Sequence, residues 1–162
     1  MEIEKRAYFT LIFAAINILF ITNLAASTIK VEQASARESL PGMQASAAYM
    51  VIKNTSERDL RLVGANSGKV AKIEVHEHRQ QGDMMAMRKV ESVVIPARSE
   101  FVLQPGGYHL MLMGIEQPLM VGEELSLQLV FEGGATLDIK VPVVSVTAPV
   151  SRHGMTHSKQ RQ

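Results

Sequence analysis

Apolar and polar residues alternate in short runs along most of the chain beyond residue 30. The clearest runs are residues 125–131 (LSLQLVF) and 136–143 (TLDIKVPV), in which every second residue is apolar. An alternation with a period of two is typical of a β-strand that buries one face. The turn residues Glu132, Gly133 and Gly134 lie between the two runs, so the pattern predicts a β-hairpin.

Shorter alternating segments precede this hairpin, and turn sequences such as Asn-Thr-Ser, Asn-Ser-Gly and Pro-Gly-Gly separate them. No segment keeps a helical period over a dozen residues. The fold class is therefore predicted as all-β, an antiparallel β-sandwich or barrel of about 115 residues. The predicted earlier strands are residues 31–37, 47–53, 60–63, 70–78, 84–90, 100–104 and a segment after the turn at 105–107.

The two ends of the chain differ in composition from this β-rich part. Two basic residues precede a predominantly apolar run at residues 7–26, and small residues occur at its end. We predict that residues 1–27 are a signal peptide, with an uncleaved membrane anchor as the alternative. In either case the rest of the chain is exported, as a β-domain at residues 28–147 and a polar, basic tail at residues 148–162 that we expect to be disordered.

Composition excludes several classes of function. The formal net charge of +1 argues against a nucleic-acid-binding protein, which would carry a basic face. The absence of cysteine excludes disulfides, thiolate catalysis, zinc–thiolate sites, iron–sulfur clusters and blue-copper centres. The sequence also contains no glycine-rich phosphate loop and no G-x-S-x-G nucleophile motif. We therefore do not expect an enzyme.

Histidine and methionine, in contrast, are concentrated in the middle of the chain. Residues two apart on a strand share a face, and three predicted strands each place such side chains on one face: His76 with His78, Met85 with Met87, and His109 with Met111 and Met113. Neutral imidazole and thioether groups together favour Cu(I). Methionine in a β-rich domain is also a common core residue, so the pattern alone leaves both a metal site and ordinary packing open.

The spacing of four of these residues is more specific. Ten residues separate His76 from Met87, twenty-one separate Met87 from His109, and one separates His109 from Met111. This arrangement resembles the metal motif of the periplasmic copper chaperones called the PCuAC family. The segments AAYMVIKNTSERDLRLVGANS and LQPGGYHLMLMG also resemble segments of that family. The resemblance extends from about residue 31 to residue 146, with no equivalent of the tryptophan that relatives often carry near the start.

The resemblance implies a cupredoxin-like β-sandwich that binds Cu(I) in an exposed site. The implied ligands are His76, Met87, His109 and Met111. Outer groups are expected to orient the two imidazoles, and for this role we consider Glu77 and Tyr108.

The implied function is that of a periplasmic metallochaperone. It would deliver copper toward the binuclear copper centre of cytochrome c oxidase subunit II, together with a Sco-type thioredoxin-like protein. The alternative functions are a periplasmic copper-buffering or resistance protein without a dedicated acceptor, and an interaction module in which histidine and methionine only pack. A membrane contact is expected only through an uncleaved N-terminal segment.

Further histidines and methionines are candidates for accessory metal binding. On the strands these are His78, Met85 and Met113. In the tail, His153, Met155 and His157 form a short version of the His- and Met-rich extension with which some members of the resembled family bind a second copper, Cu(II).

Overall fold

The computed structural model describes residues 28–81 and 84–147. Within these residues the chain forms ten strands and one short 3-10 turn. The strands are β1 (Ile29–Arg37), β2 (Ala45–Asn54), β3 (Leu60–Ser67), β4 (Val70–Gln81), β5 (Met84–Lys89), β6 (Val93–Ile95), β7 (Glu100–Leu103), β8 (Tyr108–Ile115), β9 (Glu124–Phe131) and β10 (Thr136–Val144).

Seven of the described strands form a closed sheet. Their order is β4-β8-β2-β1-β10-β9-β3, and β3 pairs again with β4. Each remaining strand pairs with one strand of the barrel: β5 with β4, β6 with β3 and β7 with β2. The all-β, cupredoxin-like fold predicted from the sequence is confirmed.

One strand pair differs from the antiparallel expectation. β1 and β10 run parallel, with Ala36 opposite Val143 and Arg37 opposite Val144, whereas the other pairs in the described part are antiparallel. The alternation of apolar residues shows which face of a strand is buried but not which strand lies beside it. The closure of the barrel by the first and last strands therefore could not be derived from the pattern.

The predicted hairpin and most predicted strands are confirmed. β9 and β10 pair in register from Val130 opposite Thr136 to Glu124 opposite Pro142. Gly133 and Gly134 in the connection both have a positive φ, of 83° and 86°, a conformation that glycine adopts without steric cost. β6 was not predicted, because its three residues are too few to show an alternation.

The core of the barrel determines where the candidate ligands point. Ile73 and Val75 of β4 and Leu110 and Leu112 of β8 are all buried in the hydrophobic core. Successive side chains on a strand point to opposite faces. The residues that alternate with these apolar positions, His76 and His109 among them, therefore lie on the outer face of the barrel, where they do not displace core side chains.

Two predictions concern parts of the chain outside the described residues. The signal peptide or anchor falls on residues 1–27 and the tail on residues 148–162, so the division into these parts stays a prediction. Within residues 28–81 and 84–147, the structure contains no helix with the length and hydropathy that a membrane crossing requires.

Candidate metal centre

Strand β4 lies between β5 and β8, and this order brings the candidate residues together. Across β4 and β8, His76 lies opposite His109 and Glu74 lies opposite Met111. Residues directly opposite each other on an antiparallel pair share a face, with Cβ atoms about 5 Å apart. Three of the four motif residues are thus adjacent on the outer face, beside a carboxylate that was not predicted as part of the site.

The fourth motif residue comes from β5, on the other side of β4. Met87 lies opposite His78, and the next residue on that face, Lys89, lies opposite His76. Met87 is therefore diagonal to His76 on the same outer face. The three strands together bring His76, Met87, His109 and Met111 to one face.

The four side chains differ in exposure. His109 is only 2% exposed, whereas Met87 is 54% exposed. His76 and Met111 are intermediate. A metal ion on this face would therefore be bound on its protein side by the imidazole of His109 and be accessible to solvent on the side of Met87.

The ring of His109 is fixed by hydrogen bonding and by neighbouring rings. Its Nδ1 is 3.1 Å from the carbonyl oxygen of Gly107. A carbonyl only accepts, so Nδ1 carries the hydrogen and Nε2 keeps its lone pair when the ring is neutral. The ring stacks on His78 with 5.0 Å between centroids and lies 6.5 Å from the ring of Tyr49. Burial lowers the pKa of His109 from its ordinary value, and the nearby His78 and His76 add to this effect. The neutral form, which can bind a metal, is thus favoured.

His76 is oriented by Glu74. Its Nε2 lies 3.0 Å from Oε2 of Glu74, whose side chain is only 11% exposed. The hydrogen bond from His76 and the neighbouring Lys72 ammonium lower the pKa of Glu74 to about 2. Because Glu74 is an ionised acceptor at neutral pH, Nε2 of His76 carries the hydrogen, and Nδ1 of a neutral ring keeps its lone pair. Both motif histidines thus have one nitrogen held by the protein and one available to a metal, as is usual for metal-binding imidazoles.

The expectation that Glu77 and Tyr108 orient the imidazoles was wrong. These two residues lie opposite each other on β4 and β8. Burial of Tyr108 and its hydrogen bond with Glu77 raise the pKa of the tyrosine. Glu77 alternates with His76 along β4 and so points to the other face. The parity of the strand could have identified Glu74 instead, since it lies two residues before His76.

The accessory candidates have different positions. His78 belongs to the group of rings, and its Nδ1 is buried without a hydrogen-bond partner. Met113 lies opposite Ala45 and Lys72 on the same outer face and is partly buried. The backbone of Met85 pairs with Gln80, but its side chain is outside the described part of the structure. The tail residues His153, Met155 and His157 also lie outside it. Within the described part, no three histidine, aspartate or glutamate side chains form a metal-binding group by themselves.

Comparison with known proteins identifies the family of the chain. A family model described as "Putative lipoprotein LpqE-like" matches residues 29–143. The putative lipoprotein Lxx21020 of Leifsonia xyli subsp. xyli is 35% identical over 119 residues, which are 73% of this chain and 70% of that protein.

Two solved structures with a similar fold are described as binding copper. The copper-bound PCuAC domain from PmoF2 is 26% identical with a TM-score of 0.63, and the match covers 73% of this chain and 93% of that one. The CuI-DR1885 structure from Deinococcus radiodurans is 33% identical with a TM-score of 0.57, over 74% of this chain and 82% of that one. The chain belongs to the LpqE-like family, and its described part is a domain of the PCuAC type.

Proposed function

We propose that this protein is an exported, non-enzymatic carrier of Cu(I), which it binds through His76, Met87, His109 and Met111. The observation that supports this most is the convergence of these four side chains on one outer face from three adjacent strands. The copper-bound state described for the PmoF2 domain and for DR1885 supports the same cargo.

The donor set fits a soft monovalent ion. Two thioethers and two neutral imidazoles carry no charge, and thioether sulfur selects Cu(I) among the metals that imidazole also binds. Both histidines already present a free lone pair, because their other nitrogens are held by Gly107 and Glu74. Thioethers are not protonated at biological pH, so the imidazoles are the groups at which protons compete with copper.

The exposure of the site fits transfer to another protein. Met87 is more than half exposed, so a thiolate or imidazole of an acceptor can approach the ion on that side and replace a thioether. The proposed route leads in the periplasm to the binuclear copper centre of cytochrome c oxidase subunit II, with a Sco-type protein as co-worker. A copper-buffering protein would use the same site without such an acceptor.

Copper binding is tested by an anaerobic Cu(I) titration of residues 28–162 against a chromophoric chelator. We expect one tightly bound equivalent, which is lost in a variant with both Met87→Leu and Met111→Leu. If the parent protein takes no Cu(I) from the chelator, the proposed carrier function is wrong.

Delivery requires a second experiment. The Cu(I)-loaded protein is mixed with the metal-free copper domain of subunit II, the two are separated, and the copper in each is measured. Movement of copper to the acceptor, faster than release into buffer, supports delivery. Retention of copper by the carrier in the presence of the acceptor would favour the buffering function.

A further inference from the structure

The carboxylate of Glu74 has three partners, and these occupy both of its oxygens. Oε1 lies 2.7 Å from the ammonium nitrogen of Lys72 and 3.4 Å from that of Lys89. Oε2 lies 3.0 Å from Nε2 of His76. The Glu74 side chain is 11% exposed, whereas those of Lys72 and Lys89 are 65% and 48% exposed. Two solvent-facing lysines thus converge on one nearly buried carboxylate.

This carboxylate lies beside the proposed ligands, and in its lysine-bound position it forms no metal-binding group with the histidines of the described part. Glu74 is opposite Met111 and two residues before His76 on the same face of β4. Two histidines and a glutamate form a common set of protein ligands for Zn²⁺. Divalent zinc and copper bind most nitrogen and oxygen sites strongly, so a protein selects against them through the type of ligand it offers. A free Glu74 would add a hard, anionic ligand to a set that is otherwise soft and neutral.

We propose that Lys72 and Lys89 form a carboxylate clamp that withholds Glu74 from the metal and thereby gives the site its preference for Cu(I) over Zn(II). This inference rests on the proposed copper site. The clamp acts by occupying Oε1 with two N–H donors, while the hydrogen bond from His76 occupies Oε2. Ammonium groups have no lone pair, so they cannot become ligands themselves.

The charge of the clamp acts in the same direction as its hydrogen bonds. Without the lysines, the ionised Glu74 would attract a divalent cation to the face that carries His76 and His109. With Lys72 and Lys89 in place, the charge of Glu74 is neutralised, and Glu91, 3.5 Å from Lys89, balances the second ammonium group. The face then lacks the net negative charge that would attract a divalent ion more than a monovalent one.

The test compares Zn(II) binding by matched double variants of the purified protein, measured by competition with a zinc-sensitive dye. Lys72→Ala with Lys89→Ala removes the clamp. Lys69→Ala with Lys140→Ala removes the same charge from exposed lysines that pair with other carboxylates. We expect the clamp variant to bind Zn(II) at least about tenfold more tightly than the parent, the scale on which groups around a ligand change metal affinity. The control variant should bind like the parent.

A third variant assigns the gain to Glu74. Adding Glu74→Gln to the clamp variant should return Zn(II) affinity to the parental level, because the amide retains the shape of the side chain without its charge. Equal Zn(II) affinity in the clamp and control variants would overturn the proposal, and so would a gain that survives Glu74→Gln. Circular dichroism of each variant establishes that the compared proteins are folded.

A Cu(I) titration of the same proteins separates this inference from the proposed function. If the parent binds Cu(I) and removal of the clamp leaves Zn(II) affinity unchanged, only the clamp is wrong. If the parent fails to bind Cu(I), the carrier function is wrong, and with it a clamp that serves copper selectivity.

Discussion

Replacing Met87 by leucine removes one proposed copper ligand with little change to the fold. Met87 lies on β5, opposite His78, and is 54% exposed. Leucine has a similar volume and hydrophobicity but no sulfur, so the substitution conserves packing. An exposed substitution of this kind changes the free energy of unfolding by at most about 0.5 kcal/mol. For a domain of this size that corresponds to a shift of about 2 °C in the melting temperature.

The expected change in copper affinity is larger. Mutation of residues that only support metal ligands lowers metal affinity about 10- to 100-fold. Mutation of a direct ligand should lower it at least as much. We therefore expect Met87→Leu to weaken Cu(I) binding at least about tenfold, which is about 1.4 kcal/mol. The effect on binding thus exceeds the effect on metal-free stability and cannot be attributed to unfolding.

The chain offers a matched control for this experiment. Met120 is 57% exposed and lies in the loop between β8 and β9, so Met120→Leu makes the same chemical change away from the site. Both variants and the parent are titrated with Cu(I) against a chromophoric chelator, and their metal-free melting temperatures are compared. If Met87→Leu and Met120→Leu bind Cu(I) equally tightly, Met87 is not a ligand and the proposed donor set is wrong.

Three further predictions concern other parts of the domain. Asn54→Ala should lower the free energy of unfolding by about 2 kcal/mol in urea titrations, because Nδ2 of the buried amide shares its two hydrogens among three backbone carbonyls. An unchanged midpoint would contradict this role. Gly114→Ala should be more destabilising than Gly106→Ala in the same assay. Both positions have a positive φ, but a Cβ at Gly114 would lie 2.7 Å from that of Ala71. Equal losses in the free energy of unfolding would show that this contact relaxes freely. Burial lowers the pKa of His109 below its ordinary 6.5, so its neutral form contributes stability above pH 6.5 that is lost as the pH falls toward the folded-state pKa. The free energy of unfolding of the metal-free protein should therefore differ less between pH 7.5 and pH 5.5 in His109→Gln than in the parent. An equal difference would refute this assignment.

The sequence predicted which residues share a face of a strand better than it predicted which strands lie side by side. Alternation places His76 with His78 and His109 with Met111 on single faces, and the structure agrees, because a strand has only two faces. The adjacency of β4 to both β5 and β8 is different, since β8 follows β4 only after three other strands. That pairing depends on closure of the barrel, and the spacing motif supplied it only through resemblance to a family.

The groups that orient the ligands were predictable to different degrees. Glu74 could have been identified, because it shares strand parity with His76 and a carboxylate is a distinctive partner for an imidazole. The carbonyl of Gly107 could not, because every residue carries one and its approach to His109 depends on the turn before β8. Lys89 required both the parity of β5 and its register against β4.

The proposed ligands lie at different depths on the outer face. Their depth determines whether a substitution affects copper binding alone or the stability of the fold as well. His109 is the innermost proposed ligand and is held by the Gly107 carbonyl and the ring of His78, so its replacement affects both folding and copper. Met87, at the solvent side, has no comparable structural role. We therefore expect an acceptor to replace Met87 first and His109 last, because the exposed thioether can move away without breaking a protein hydrogen bond. The same order allows the domain to remain folded while copper passes to another protein.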